Sequence, residues 1–421
     1  MMKRPIRFRR IGRIYAEVSL CAFFGLILLT GSAQAGGLYL QEYGTSSMGT
    51  AGAGRHANAS DGGTILHNPA GMTRLEGHEL FAGFGAGGST IKFDTTDDPV
   101  NQGGNGGDQG GFIPLIGSGY SHKLHDRVRL GMGIFAVSGA ALDPQNTWAG
   151  RAQVTDLSLF TIATNPGVAV KVTDWLSIGG NWLIVYGTLD WKLRPLPGDQ
   201  RLRFKDADDV EFAGMASILL EPMEGLRFGL LYQSEVDLKL RGSARGPAGV
   251  NPDFNLELPL AQYVRVSAYW DATDKLALLL SAGWEDWSTM GRVGVDVGAI
   301  SSDVTLGFDD TWRVGGGIHY QLTPEWMLQT GYSYDSSALK NKNRTAALPV
   351  DEQHRVGFGA VHQLSENLRV GASFNWVHLG AGKIRTPALR GSYERNELFF
   401  VGINVNWGIE SWREQLGLDK S

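Results

Sequence analysis

Cysteine is nearly absent from this chain. Of 421 residues only Cys21 is a cysteine. If the leader described below is removed, the mature chain has no thiol. Disulfides and thiolate chemistry are then excluded. A charge excess is also missing. The formal net charge is −5, which leaves no basic footprint for nucleic acid. Beyond Ala35 there is no apolar run of the ~18 residues that a membrane-spanning helix needs. Hydrolase signatures are lacking too. There is no G-x-S-x-G and no H-x-x-x-H, and the nine histidines are scattered. The paired carboxylates Glu285-Asp286 and Asp309-Asp310 are sequence neighbours. On a strand, neighbours point to opposite faces and do not share one ion. We therefore expect no enzyme, no metal and no cofactor.

What is present begins with a leader. Lys3, Arg4, Arg7, Arg9, Arg10 and Arg13 precede an apolar stretch from Leu20 to Leu29, and Ala33-Gln34-Ala35 forms an A-x-A site. This pattern predicts a signal peptide over residues 1–35, cleaved so that the mature chain starts at Gly36. The rest is rich in glycine, with 58 residues, and in aromatics, at 10%. Mean hydropathy is close to zero, at −0.13. Such a composition suits a membrane β-barrel whose lipid face alternates with a polar lumen. A secreted aromatic β-protein of this kind points to a bacterial outer membrane.

Residues 36–77 read differently. The stretch GGLYLQEYGTSSMGTAGAGRHANASDGGTILHNPAGMTRL is rich in small residues and carries the tripeptide Asn68-Pro69-Ala70. It shows neither helical nor strand periodicity. It cannot bury enough apolar surface to fold alone. We expect it to be a plug wrapped by the strands that follow.

Short polar turns recur near Leu124, Val172, Glu221, Asp271, Leu322 and Leu364. Compact turns belong to the periplasmic side of such barrels. Six of them, with both termini periplasmic, predict an all-β, 14-stranded antiparallel barrel over residues 78–409. A polar periplasmic tail would follow at 410–421. The longer outer connections are placed at 94–111, 141–153, 194–208, 245–255, 291–302, 339–351 and 380–395.

Alternation assigns the faces. From Leu226, the residues Leu230, Tyr232, Val236, Leu238 and Leu240 would meet lipid, with Arg227, Gln233, Glu235 and Lys239 in the lumen. Phe399, Val401, Ile403, Val405 and Trp407 would likewise face lipid. Some strands are apolar on both faces. Leu183, Val185, Met215 and Leu279 are therefore lumen candidates, either packed against the plug or lining a pocket for an apolar ligand.

These segments resemble a known family. The plug resembles the hatch of FadL-type long-chain fatty-acid transporters. NTWAG from Asn146, YQSEVDLKLRG from Tyr232, LELPLAQYVRVSAYW from Leu256, WEDWS from Trp284, FDDTWRVGGGIHYQLTPEW from Phe308 and LPVDEQHRVGFGA from Leu348 extend the likeness over the mature chain. The resemblance implies capture of fatty acids or other hydrophobic molecules from outside. An internal site would lie beside the mature N-terminus, with Gly36, Leu38, Tyr39, Asn68, Pro69 and Ala70. A kink in the third strand, best placed at Ser138, Gly139 and Ala140, would give sideways exit into lipid. Arg151, Lys192, Lys239, Arg241 and Arg313 are candidate carboxylate partners. Without one, the substrate would be an uncharged hydrocarbon. Implied partners are outer-membrane lipid, lipopolysaccharide and the barrel-assembly machinery, with the protein a monomer. A general porin would conduct ions steadily, and an adhesive barrel would need no apolar lumen.

Overall fold

The computed structural model describes residues 38–42, 44–196, 200–246 and 251–409. The leader, Gly36 and the tail at 410–421 lie outside them.

Fourteen antiparallel strands close into one barrel. The first three are His78–Thr95, Phe112–His125 and Val128–Leu142. The fourth is built from Asp156–Thr164 and Gly167–Lys171, the fifth is Leu176–Leu196 and the sixth Gln200–Met223. The seventh combines Leu226–Gln233 with Val236–Arg245, and the eighth Asp253–Leu260 with Tyr263–Asp271. Leu276–Glu285 and Arg292–Val297 make the ninth, Ile300–Thr305 and Thr311–Gln321 the tenth. Trp326–Asp335, Gln353–Ser365, Leu368–His378 and Arg390–Ile409 complete the set. Closure is direct, since the first strand pairs with the last from His78↔Ile409 to Thr95↔Gly391. No strand edge is left facing lipid there, which the hydrocarbon would not tolerate.

Phe399, Val401, Ile403, Val405 and Trp407 are exposed, as their alternation predicts. Trp270, Trp326 and Trp407 are exposed near the periplasmic turns, and Tyr186, Tyr232, Trp312 and Tyr332 toward the outer side. These are the aromatic girdles of a membrane barrel.

Two expectations need correction. The first concerns Val236, Leu238 and Leu240, which are fully buried and point inward, while Asp237 and Arg241 are exposed. Below them Leu230 and Tyr232 do face outward. The seventh strand breaks at Ser234-Glu235, between inward Gln233 and inward Val236. Two residues where one would preserve phase exchange the faces. The eighth strand does the same between Leu260 and Tyr263, and the pairs Leu260↔Val236 and Tyr263↔Gln233 keep both in register. Above the breaks the wall is therefore polar outside and apolar inside. The second correction concerns 194–208, which is not a loop. The fifth and sixth strands stay paired out to Leu196↔Gln200, with a bulge where Asp206 has φ 51°. Residues 291–302 likewise form a hairpin of Arg292–Val297 with Ile300–Thr305.

The interior is filled by residues 38–42 and 44–75. They form 3-10 turns at Ser46–Thr50, Gly62–Leu66 and Pro69–Arg74, and one helical turn at Arg55–Asn58. Inward glycines such as Gly229 and Gly331 admit this chain, because a Cβ there would meet the carbonyls of His56 and Thr50.

The face exchange has a direct test. A single thiol at Leu230→Cys, carrying a fluorophore, should be quenched by a bilayer-embedded quencher. One at Leu238→Cys should resist labelling in the folded protein. Equal quenching at both positions would refute the exchange.

Candidate functional site

The hatch has little regular structure, so its backbone groups must find partners in the barrel wall. Lumen side chains supply them. Ser281 accepts from Gly54 N–H at 2.8 Å, Asn406 from Gly62 N–H at 3.0 Å and Ser217 from Ala70 N–H at 3.0 Å. Asn375 donates to Met48 O at 3.0 Å, and Asn165 and Asn181 to Ile65 O at 2.9 and 3.2 Å.

A buried ion-pair chain ties the hatch down at a second level. Arg313 donates to both Asp335 carboxylate oxygens at 3.2 Å and to Ala51 O at 2.8 Å. Ala51 is held in the left-handed region, φ 52°. Asp335 also pairs with Arg355, which reaches hatch residue Glu42 at 3.1 Å. Nearby, Arg265 pairs with Glu285. Sequence reading singled out Arg313 but missed Glu42, Asp335, Arg355 and Arg265. Register could have found Asp335, since it lies directly opposite Arg313. Asp309 and Glu235 do not join this network: Asp309 pairs with Lys340 at the rim, and Glu235 accepts from Thr289.

The start of the hatch sits elsewhere. Leu38, Tyr39 and Leu40 are buried in one apolar cluster with Phe135, Val137, Leu183, Val185, Met215 and Leu238. Tyr39 donates to Ala261 O at 2.6 Å, and its ring meets Tyr263 and Trp287 at centroid distances of 5.3 and 5.2 Å. Leu279 packs in a separate cluster against Ala53 and Ala57. Arg151 lies in an outer loop, donating to Gln102 O and Trp148 O. A cavity below the cluster is lined by Tyr39, Gln41, Arg55, His56, Leu66, His67, Leu231, Tyr263 and Arg265. Burial, helped by the Arg55 charge, depresses both His56 and His67 well below the usual histidine range.

Asn68-Pro69-Ala70 does not pack against the kink of the third strand. It lies instead on the fifth and sixth, where Asn68 donates to Ile218 O at 3.2 Å and Pro69 and Ala70 back Gly179. The third strand is touched lower down, by Arg129 on Met72 O at 3.3 Å, and higher up by the first hatch residues. Leu40 N–H donates to Val137 O at 3.0 Å, and Tyr39 bridges Ser138.

At that point the wall itself is incomplete. The second and third strands pair from His125↔Val128 only as far as Gly117↔Phe135. Phe112–Ile116 on one side and residues 136–142 on the other have no pairing with each other. The third strand leaves its neighbour by a bulge at Val137, between Ala136 and Ser138, while Gly139 and Ala140 stay paired with Phe160 and Leu159 of the fourth. The window ends above, where Asp143 N–H reaches Gln109 O at 3.0 Å. Pro114 lies within it and brings no N–H. That proline was a legible signal that sequence reading passed over.

The family model for outer membrane protein transport proteins (OMPP1/FadL/TodX) matches residues 26–399. The chain belongs to this family. It is an outer-membrane β-barrel of the FadL type, and its relatives are transport channels rather than enzymes. The long-chain fatty acid transport protein of Salmonella typhi is 23% identical, over 91% of this chain and 96% of the relative. Outer membrane protein P1 of Haemophilus influenzae is 24% identical, over 84% and 88%. Among solved structures, a Pseudomonas aeruginosa FadL homologue aligns with TM-score 0.80 at 17% identity, covering 89% of this chain and all of that one. The Pseudomonas putida toluene transporter TodX aligns with TM-score 0.68 at 15% identity, covering 88% and 99%.

Two outcomes test the hatch of this FadL-type barrel. Removing one partner of a buried ion pair costs about 3–5 kcal/mol. Arg313→Ala should therefore make residues 46–66 sensitive to protease in the folded barrel, and Asp309→Ala should not. Acid should act the same way. A histidine whose folded pKa is depressed contributes stability that is complete above its unfolded value, about 6.5, and fades as pH falls below it. Intrinsic-rate-corrected amide exchange of the hatch should accelerate between pH 7.5 and 5, and His56→Gln should flatten part of that response.

Proposed function

We propose that this barrel takes up hydrophobic molecules passively, with long-chain fatty acids the favoured substrate. Molecules are captured outside, held beside residues 38–41, and released sideways into the membrane. The observation that carries this reading is the window between the second and third strands, with Leu38–Leu40 docked against its edge. The names of the relatives, long-chain fatty acid transport protein and toluene transporter among them, support a hydrophobic cargo.

The physics favours a side exit. Moving an alkyl chain into water costs about 0.8 kcal/mol per CH₂. A polar pore would impose that cost, whereas a dry cluster opening into lipid avoids it. The cavity bears on the cargo only indirectly. It is small, and its two guanidinium groups are already engaged, Arg55 by Ser47 and Gln41 and Arg265 by Glu285. A carboxylate would reach them only after the hatch shifts, and would then gain charge-assisted hydrogen bonds that a neutral aromatic lacks. Movement of the hatch would open the path, since Leu40 stands 3.5 Å from a Cβ placed on Gly139.

Tyr39 and Ser138 are directly opposed in an antiparallel bridge. Cα atoms so placed are about 4.5–5.5 Å apart, within reach of a disulfide. Tyr39→Cys with Ser138→Cys should block uptake of labelled fatty acid when oxidised and restore it on reduction. Wild-type uptake in the oxidised form would exclude the side exit. Mass spectrometry of the ligand retained on purification would identify the cargo, and a neutral aromatic found there would replace the fatty-acid assignment.

A further inference from the structure

The outer extension of the fifth, sixth and seventh strands carries a row of cations that transport does not explain. Lys192 lies directly opposite Arg203, and Arg203 directly opposite Arg245. Their strand neighbours Leu193, Phe204 and Ala244 are buried inside the barrel. The three cations therefore stand on the outer surface. Like charges directly opposite each other on a sheet destabilise it. Asp156 offsets Lys192 at 2.9 Å and Asp190 offsets Arg203 at 3.2 Å. Arg245 is exposed and has no carboxylate partner among the described residues. Asp206 acts on Arg203 and Arg245 through space, so the row ends in a guanidinium that is offset only at a distance, beside a second one.

Height decides what meets it. The exposed apolar positions of the fifth strand run from Ile178 through Trp182 to Tyr186. Lys192 lies six residues further, about 20 Å along the strand and about 14 Å higher at a 45° tilt. That is above the hydrocarbon, among the sugars that head the outer leaflet of a diderm membrane. These sugars carry phosphates. Guanidinium groups bind phosphate in a bidentate, planar geometry that lysine does not reproduce.

We propose that the outward face formed by Lys192, Arg203 and Arg245 binds the phosphorylated sugars of lipopolysaccharide, anchoring the barrel in its leaflet. The assignment is independent of what the barrel transports. Its partner is a lipid that stays outside, and its residues lie on the opposite face of the wall from the lumen.

The test uses the full mature barrel, refolded in detergent free of lipopolysaccharide and then titrated with it. Wild type should bind at least ten-fold more tightly than the double variant Arg203→Gln/Arg245→Gln. Enzymatically dephosphorylated lipopolysaccharide should bind wild type as weakly as the intact form binds the variant. Arg292→Gln, which removes an exposed cation from the hairpin of the ninth and tenth strands, should bind like wild type. Heat-modifiable mobility of each variant verifies folding. Equal binding by wild type and the double variant would overturn the proposal, as would indifference to dephosphorylation. Competition by millimolar inorganic phosphate or by phosphatidylglycerol vesicles as strong as that by lipopolysaccharide would also overturn it, leaving a general anion patch.

Discussion

A chain segment without helix or sheet cannot sit inside a membrane protein unless every backbone N–H and C=O finds a partner. This constraint organises the whole interior. The hatch from Leu38 to Leu75 is studded with small residues, so the barrel supplies the hydrogen bonds. Ser217, Ser281, Asn165, Asn181, Asn375 and Asn406 are lumen residues committed to hatch backbone. The inward glycines are its complement, since they bring the two backbones close enough to be bridged by short side chains.

The buried ions add a different property. Hydrogen bonds to small polar side chains are individually modest and distributed. The chain Glu42–Arg355–Asp335–Arg313–Ala51 is concentrated, and it joins two points of the hatch across three adjacent strands. A buried pair is costly to split and adds little net stability when intact. Such a lock defines the seated position of the hatch sharply without making it much deeper. The segment at the window is held without charge, by the Leu40–Val137 backbone bond, the bridge of Tyr39 to Ser138, the Tyr39 hydroxyl bonded to Ala261 O and Gln233, and apolar contact. The hatch is thus locked by ions at Glu42 and Ala51 and seated by neutral contacts in the residues just before them, beside the window.

The face exchange in the seventh and eighth strands fits the same division. Within the hydrocarbon the outer face is apolar and the lumen polar, because the lumen must serve the hatch. Above the hydrocarbon the outer face meets sugars and water, and the lumen becomes apolar, with Val236, Leu238, Leu240, Leu258 and Leu260 inside. Two breaks in register-matched positions perform the switch without disturbing the pairing. The chain therefore reads as a membrane barrel below and as an ordinary amphipathic sheet, turned inside in, above.

The sequence by itself determined the class of the fold. Turn residues and period-two alternation are local properties, so the strand number and the lipid face of the last strand were legible in the sequence, and the lack of any period marked the plug before them. It also placed Arg313 in the lumen, since parity along a strand is counted from neighbours. Only the tertiary structure decided what parity could not carry across a break. The inward turn of Leu238 depends on two residues at Ser234-Glu235, and their conformation is set by the paired break in the adjoining strand. The seat of Asn68-Pro69-Ala70 against the fifth and sixth strands, the Glu42–Arg355 pair, and the docking of Tyr39 at Ser138 join residues far apart in the chain. Their contacts arise from closure of the barrel, which no local pattern encodes.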